Sequence, residues 1–210
     1  MNGKTHTAVG ICAAAFLLVP RVDIKTSLIG LGFVIIGSYA TDADLKVSKA
    51  GQVVSDVVFG VIVLATLYLI LTYKFQYNVL QVIGNNMPSQ LKLLGAVLIV
   101  GSIVLGRITG HRKYMHSLIG FVIMNAGVWL ISGDFVVWFA LGYALHIIID
   151  LLNEKPESLL FPFSQGDICF SLCSSNGIIN WIISMVAYVG FFYRIISIYN
   201  LEYLHRISAL

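Results

Sequence analysis

His146 and Asp150 stand four residues apart inside an otherwise apolar run, residues 135–152. On a helix this spacing stacks both side chains on one face, at a separation that suits a shared metal ion or a hydrogen bond. Ionisable groups are costly in hydrocarbon and usually face a protein interior where they mark a site, so the pair is expected to be functional. Asp42 and Asp44 fall in Thr41-Asp42-Ala43-Asp44-Leu45. Carboxylates there can simply cap a helix. Two of them, two residues apart, can also hold cations that relieve their mutual repulsion. His111 and His116 are five apart and do not align on one helix face, so one is expected in a loop and the other at the start of the next segment. Arg112 and Lys113 lie between them and give the stretch the character of metal ligands beside an anion clamp. His6 precedes the first apolar stretch and is the weakest candidate taken alone. Carboxylates mixed with imidazoles suit zinc, with manganese and iron as alternatives.

The elements that must position these groups are apolar throughout. Hydrophobic residues make up 58% of the 210 positions and charged residues 11%, against roughly one quarter charged in soluble domains. Hydropathy marks seven segments, at residues 8–19, 26–40, 53–73, 91–108, 117–132, 135–152 and 178–199. A spanning helix needs about 20 residues, so the third, sixth and seventh qualify, and the fourth and fifth do so if flanking side chains snorkel. The first two are short and either cross or dip back against protein. The expected fold is therefore all-α, a polytopic transmembrane bundle of about five to seven segments in a single domain over residues 1–210. Glycines within the segments, Gly32, Gly37, Gly95, Gly101, Gly120, Gly127 and Gly142, are expected at close helix contacts. Lys46, Lys49, Lys74 and Lys92 are expected to anchor segment ends.

Connectivity groups the polar residues. The first two segments form a hairpin, which returns Asp42 and Asp44 to the side of His6. The next two return His111 and His116 to that side, and a third hairpin turning at Ser132-Gly133-Asp134 does the same for His146 and Asp150. His205 falls on the opposite side and is expected to be a bystander.

Several function classes are excluded. A net charge of +3, scattered along the chain, offers no basic stripe for nucleic acid. Cys12, Cys169 and Cys173 form no paired framework and are expected to be free thiols in apolar roles. The apolar stretch from Ala8 follows a polar Thr5-His6-Thr7 triplet and ends at Pro20-Arg21 with no small-residue cleavage pattern, unlike a signal peptide. No phosphate-binding glycine loop, serine-nucleophile elbow or CxxC pair is present.

The chain resembles, nearly end to end, the YdjM-type (YbcI-like) family of bacterial inner-membrane proteins, described as metal-dependent hydrolases. The resemblance rests on Thr5-His6 with Gly10, Asp42 and Asp44, Gly110-His111-Arg112 with His116-Ser117, and Gly142-Tyr143 with His146 and Asp150, followed by Leu160-Phe161-Pro162-Phe163. Thr41 and Leu45 stand where the family has proline and histidine, and Lys113 and Met115 where it has glycine and threonine. The family is distantly similar to zinc phospholipase C and P1-type nucleases, which implies phosphoester hydrolysis. The expected protein is thus an inner-membrane hydrolase whose His6, Asp42, Asp44, His111, His116, His146 and Asp150 hold divalent ions, zinc first among them. Asp44 would orient the attacking water and Arg112 would stabilise developing charge. Membrane lipids or lipid-linked phosphoesters, arriving laterally, are the expected substrates. The alternatives are a metal-ion or proton transporter, disfavoured because ligands crowd one edge without a sequence repeat, and an inactive membrane scaffold.

Overall fold

The computed structural model describes residues 3–44, 87–164, 166–174 and 177–208. Among these residues the regular elements are all helical: α1 (Gly3–Leu17), α2 (Ile24–Ala40), α3 (Ser89–Thr109), α4 (Leu118–Ile131), α5 (Val136–Leu151) and α6 (Ile178–Ser208), with short 3₁₀ turns between them. The all-α class expected from composition is the class found. Among the described residues four stretches are long and apolar enough to cross a membrane: Ile24–Ala43, Ser89–Thr109, Gly133–Leu151 and Ile178–Ile198. The expected segment at 53–73 and the expected anchors Lys46, Lys49 and Lys74 lie outside the described residues.

Several segments differ in length from expectation, among them the seventh, expected at 178–199 and found to run on as α6 to Ser208. The second is not short: it begins at Ile24 and continues through the 3₁₀ turn Thr41–Asp44, giving a stretch of 20 residues. Asp23 sets this start as an N-cap. Its carbonyl accepts from Ser27 N–H at 2.9 Å, and its carboxylate accepts from the N–H of Thr26 at 3.1 Å and from the Thr26 hydroxyl at 2.6 Å. Those hydrogen bonds hold the exposed Asp23 carboxyl below its ordinary pKa. The fifth segment is shorter than expected: α4 has 14 residues and is about 21 Å long, less than a hydrocarbon core of roughly 30 Å.

The chain divides into two compact units. The first comprises Met1–Ala40, Val137–Glu157 and Asp167–Leu210. Here α1 packs on α2 and on α6, and α2 crosses α5 with the two backbones in contact. A Cβ added at Gly37 would overlap the carbonyl oxygen of Phe139, one at Gly142 would overlap that of Val34, and one at Gly30 would enter the Trp138 ring. Only residues without side chains permit so close a crossing, the arrangement that helices in lipid use to gain packing. The end of α2 is thereby held against the last turns of α5.

The second unit comprises Thr41–Val136 and Ser158–Gly166. There α3 packs on α4 through Gly95 and Gly127, whose added Cβ atoms would lie 2.7 Å and 2.9 Å from each other's carbonyl oxygens. Ser117 caps α4: its hydroxyl donates to Tyr114 O at 2.7 Å and accepts from Gly120 N–H at 3.1 Å. Among the described residues nothing lies within 4 Å of a Cβ added at Gly32 or Gly101, so the expected close helix contact is not seen at these two. Lys92 is also misread from sequence. It is 6% exposed, so it is a buried residue of α3 and not an interfacial anchor.

Candidate metal centre

The first unit brings three of the sequence-marked residues together. His6 sits in the first turns of α1, and His146 and Asp150 occupy the last turns of α5. The imidazoles of His6 and His146 stack with ring centroids 3.7 Å apart and planes 13° from parallel. Both present Nε2 to the same carboxylate, His6 at 3.1 Å from Asp150 Oδ1 and His146 at 3.7 Å from Oδ2. Burial is complete for both histidines and nearly so for Asp150, at 0%, 0% and 2% exposure.

A backbone contact fixes the chemistry of His146. Its Nδ1 lies 2.6 Å from the carbonyl oxygen of Ser38 at the end of α2. A carbonyl can only accept, so Nδ1 is the donor and, in the neutral ring, Nε2 carries a bare lone pair. That lone pair faces Asp150, itself acceptor-only when ionised, across 3.7 Å. Two acceptors aimed at each other in a buried place are stable only around a cation or a proton. Metal-bound histidines are oriented by this same kind of outer contact, a ring N–H to a backbone carbonyl. Among the described residues neither buried ring nitrogen of His6 makes a hydrogen bond of good geometry, the nearest polar approach being Nε2 to Asp150 Oδ1 at 3.1 Å. Two imidazoles and a carboxylate whose donor atoms lie within 4.8 Å of one another fit a divalent ion of the zinc type.

The second unit brings together Asp42, His111 and His116, again with donor atoms within 4.8 Å. Asp42 comes from the turn Thr41–Asp44, His111 from the loop after α3, and His116 from the 3₁₀ turn Tyr114–His116 that leads into α4. The two rings meet edge to face, 5.0 Å between centroids at 89°. His116 is fully buried, while Asp42 is half-buried. The loop that carries His111 needs unusual backbone: Gly110 has φ 93° and Arg112 has φ 67°. Arg112 O accepts from Ser158 N–H at 3.0 Å, which helps to hold that conformation. A non-glycine residue there is strained, and strain of this kind collects at functional sites.

Asp44 shares the turn Thr41–Asp44 with Asp42; its side chain lies outside the described residues, as does that of His205 in α6. Two participants escaped sequence reasoning. Ser38 acts through its main chain, which no residue type announces. Glu157 is a glutamate with 0% exposure, beyond the end of α5, where no spacing or motif in the sequence marks it. All three cysteines are free thiols; Cys12 lies beside Gly190 of α6.

A family model described as YdjM inner membrane protein matches residues 1–206 of the chain. No curated protein and no solved structure shows significant similarity to it.

Proposed function

The chain belongs to the YdjM inner membrane protein family, and from that membership together with its two groups of ligand-type side chains, one of them fully buried, we propose that it is a metal-dependent hydrolase of phosphoesters in or at the membrane. The observation that carries this is the buried convergence of His6, His146 and Asp150, with His146 Nδ1 held by Ser38 O so that its Nε2 faces Asp150 beside the stacked His6. Such an arrangement suits a cation, and its His146 and Asp150 lie on a helix long and apolar enough to cross a membrane.

His6, His146 and Asp150 form one ligand set, and Asp42, His111 and His116 form another. A divalent ion, zinc by the donor chemistry, supplies the Lewis acidity that lets water act as a nucleophile near neutral pH. The residues of the chain do the rest. Ser38 O keeps the proton of His146 on Nδ1 and so keeps Nε2 available. Arg112, adjacent to His111, offers a planar fork of donors that matches two phosphate oxygens and stabilises the charge that develops on them. Asp44, in the same turn as Asp42, is the carboxylate assigned to orient the attacking water and take its proton. Lipid phosphates or lipid-linked phosphoesters are the proposed substrates, because they reach apolar helices from within the bilayer.

The test is an assay of the detergent-purified protein on lipid phosphates and generic phosphodiesters, with chelator and metal-restoration arms. Turnover abolished by chelator and restored by zinc or manganese is expected. Turnover indifferent to chelator, or metal flux into proteoliposomes with no substrate hydrolysed, would overturn the proposal in favour of a transporter.

A further inference from the structure

At the end of the first unit away from His6, the turn between α1 and α2 borders a groove of about 230 Å³. Pro20, Ile24 and Leu28 line it from the turn and from α2, and Phe191, Ile195 and Ile198 line it from α6. The three α6 residues recur at i, i+4 and i+7, so they form one face of that helix. Arg194 belongs to the same face, three residues after Phe191 and four before Ile198. Its guanidinium carbon stands 5.5 Å from the centre of the Phe16 ring, in the last turn of α1. The Arg194 Nε is buried and meets no hydrogen-bond acceptor among the described residues.

Depth gives this arginine a meaning. It lies four residues short of the end of the apolar stretch Ile178–Ile198, about 6 Å inside it. A charge there is costly unless the long side chain reaches up to the headgroup level, where lipid phosphates are the abundant anions. The charges around the groove are mostly of one sign. Lys25 is exposed next to Ile24, Arg21 ends the preceding turn, and the acid between them, Asp23, is already engaged by the N–H and the hydroxyl of Thr26.

The occupant must therefore be apolar at one end and anionic at the other. The groove is smaller than the roughly 300–1,000 Å³ that encloses a whole small ligand, so it takes only a slender part of a molecule. A second copy of the chain fits poorly: packed here through α6, it would set Arg194 beside its own equivalent, since Ile178–Ile198 contains no acid. We propose that the groove seats an acyl chain of an anionic phospholipid, with Arg194 on the lipid phosphate and Lys25 adding to the preference for a net negative headgroup. The planar fork of the guanidinium suits two phosphate oxygens. This seat lies beyond the end of α1 opposite to His6, so it is separate from the metal centre and independent of the hydrolase reading.

The test reconstitutes the full-length protein into nanodiscs holding equal parts of phosphatidylglycerol and phosphatidylcholine with identical chains. The protein is then re-extracted into detergent and washed, and the lipid that stays with it is counted by mass spectrometry. The wild type is expected to keep phosphatidylglycerol in near-stoichiometric amount and little phosphatidylcholine. Arg194→Gln is expected to lower that preference about fivefold, the weight of one basic side chain at an anionic surface. Leu28→Trp fills the groove from an exposed position and is expected to lower retention of both lipids. Should Arg194→Gln fail to fold, as read from its melting in detergent, raised salt supplies the same measurement on the wild type, because screening shrinks a headgroup contact. Equal retention of the two lipids by the wild type, or a preference that survives Arg194→Gln or salt unchanged, overturns the proposal at the headgroup. Unchanged retention by Leu28→Trp overturns it at the groove. A lipid-free dimer that Leu28→Trp breaks assigns the groove to a second copy and overturns it as well.

Discussion

His146 and Ser38 are joined by a 2.6 Å hydrogen bond from the imidazole Nδ1 to the backbone carbonyl, linking the last turns of α5 to the end of α2. The contact decides which nitrogen of His146 carries the proton in the neutral ring, and it depends on main chain rather than on side-chain identity. Replacement of Ser38 therefore need not disturb it, whereas anything that shifts α2 along α5 must.

The ligands come first. His146→Ala and Asp150→Ala are each expected to lose most of the metal bound in the first unit while the protein remains membrane-inserted, because the apolar contacts of the helices do not involve them. The loss in affinity should exceed the roughly 10–100-fold that removal of an outer supporting partner costs. Metal content after extensive dialysis checks it, and both variants retaining the wild-type level would make these residues structural.

The crossing of α2 and α5 can be probed without touching a ligand. Gly142→Ala places a methyl group onto the carbonyl of Val34 and should cost about 1–3 kcal/mol through overpacking. It should also weaken metal binding, since Ser38 O moves relative to His146. Gly32→Ala is the control: among the described residues nothing lies within 4 Å of its added Cβ, and it should leave stability level or raise it by about 0.5–1 kcal/mol. Thermal unfolding in detergent distinguishes the two, and equal melting temperatures would contradict the close crossing.

Arg112 separates backbone from chemistry. Arg112→Ala is expected to keep its metal and lose activity by about 10²–10³-fold, the usual effect of removing one preorganised charge contact, and Arg112→Lys should rescue little of it. Arg112→Gly should be equally inactive yet more stable by about 1 kcal/mol, because glycine adopts φ 67° without strain. An active Arg112→Ala protein would remove this residue from the proposed mechanism.

Asp23 carries a pH dependence. Its carboxyl is held below the ordinary value of 3.8 by the hydrogen bonds from Thr26, so its contribution to folding is complete above that value and is lost as pH falls through the lowered one. Asp23→Ala should melt earlier than wild type at neutral pH, with the gap closing under acid conditions. Melting curves of the two proteins at matched pH provide the check; a gap constant down to strong acid would argue against the cap.

Legibility of the sequence divides along physical lines. Apolar runs located the helices, because burial of backbone in lipid admits little else. Spacing and connectivity found His6, His146 and Asp150, and likewise Asp42, His111 and His116, because helix periodicity and hairpin reversal are local rules. What stayed hidden depends on distant pairing. Glu157 gains its place only through its backbone pairing with Ile168, and Ser38 contributes a carbonyl that every residue possesses. Lys92 was misread for a related reason: a lysine near a helix end is usually interfacial, and only tertiary packing shows that this one is covered.

The length of α6 has its own consequence. Its 31 residues make a rod about 46 Å long, or about 44 Å along the bilayer normal at the common tilt of roughly 20°, against a hydrocarbon thickness of roughly 30 Å. The apolar stretch Ile178–Ile198 accounts for that thickness, and the remaining turns carry Glu202, His205 and Arg206. The helix therefore emerges from the hydrocarbon without a break and continues through the headgroup layer as a stalk. A rigid connection of this kind transmits tilt and rotation of the embedded part to whatever the stalk meets in the aqueous phase, with no hinge in between to absorb them.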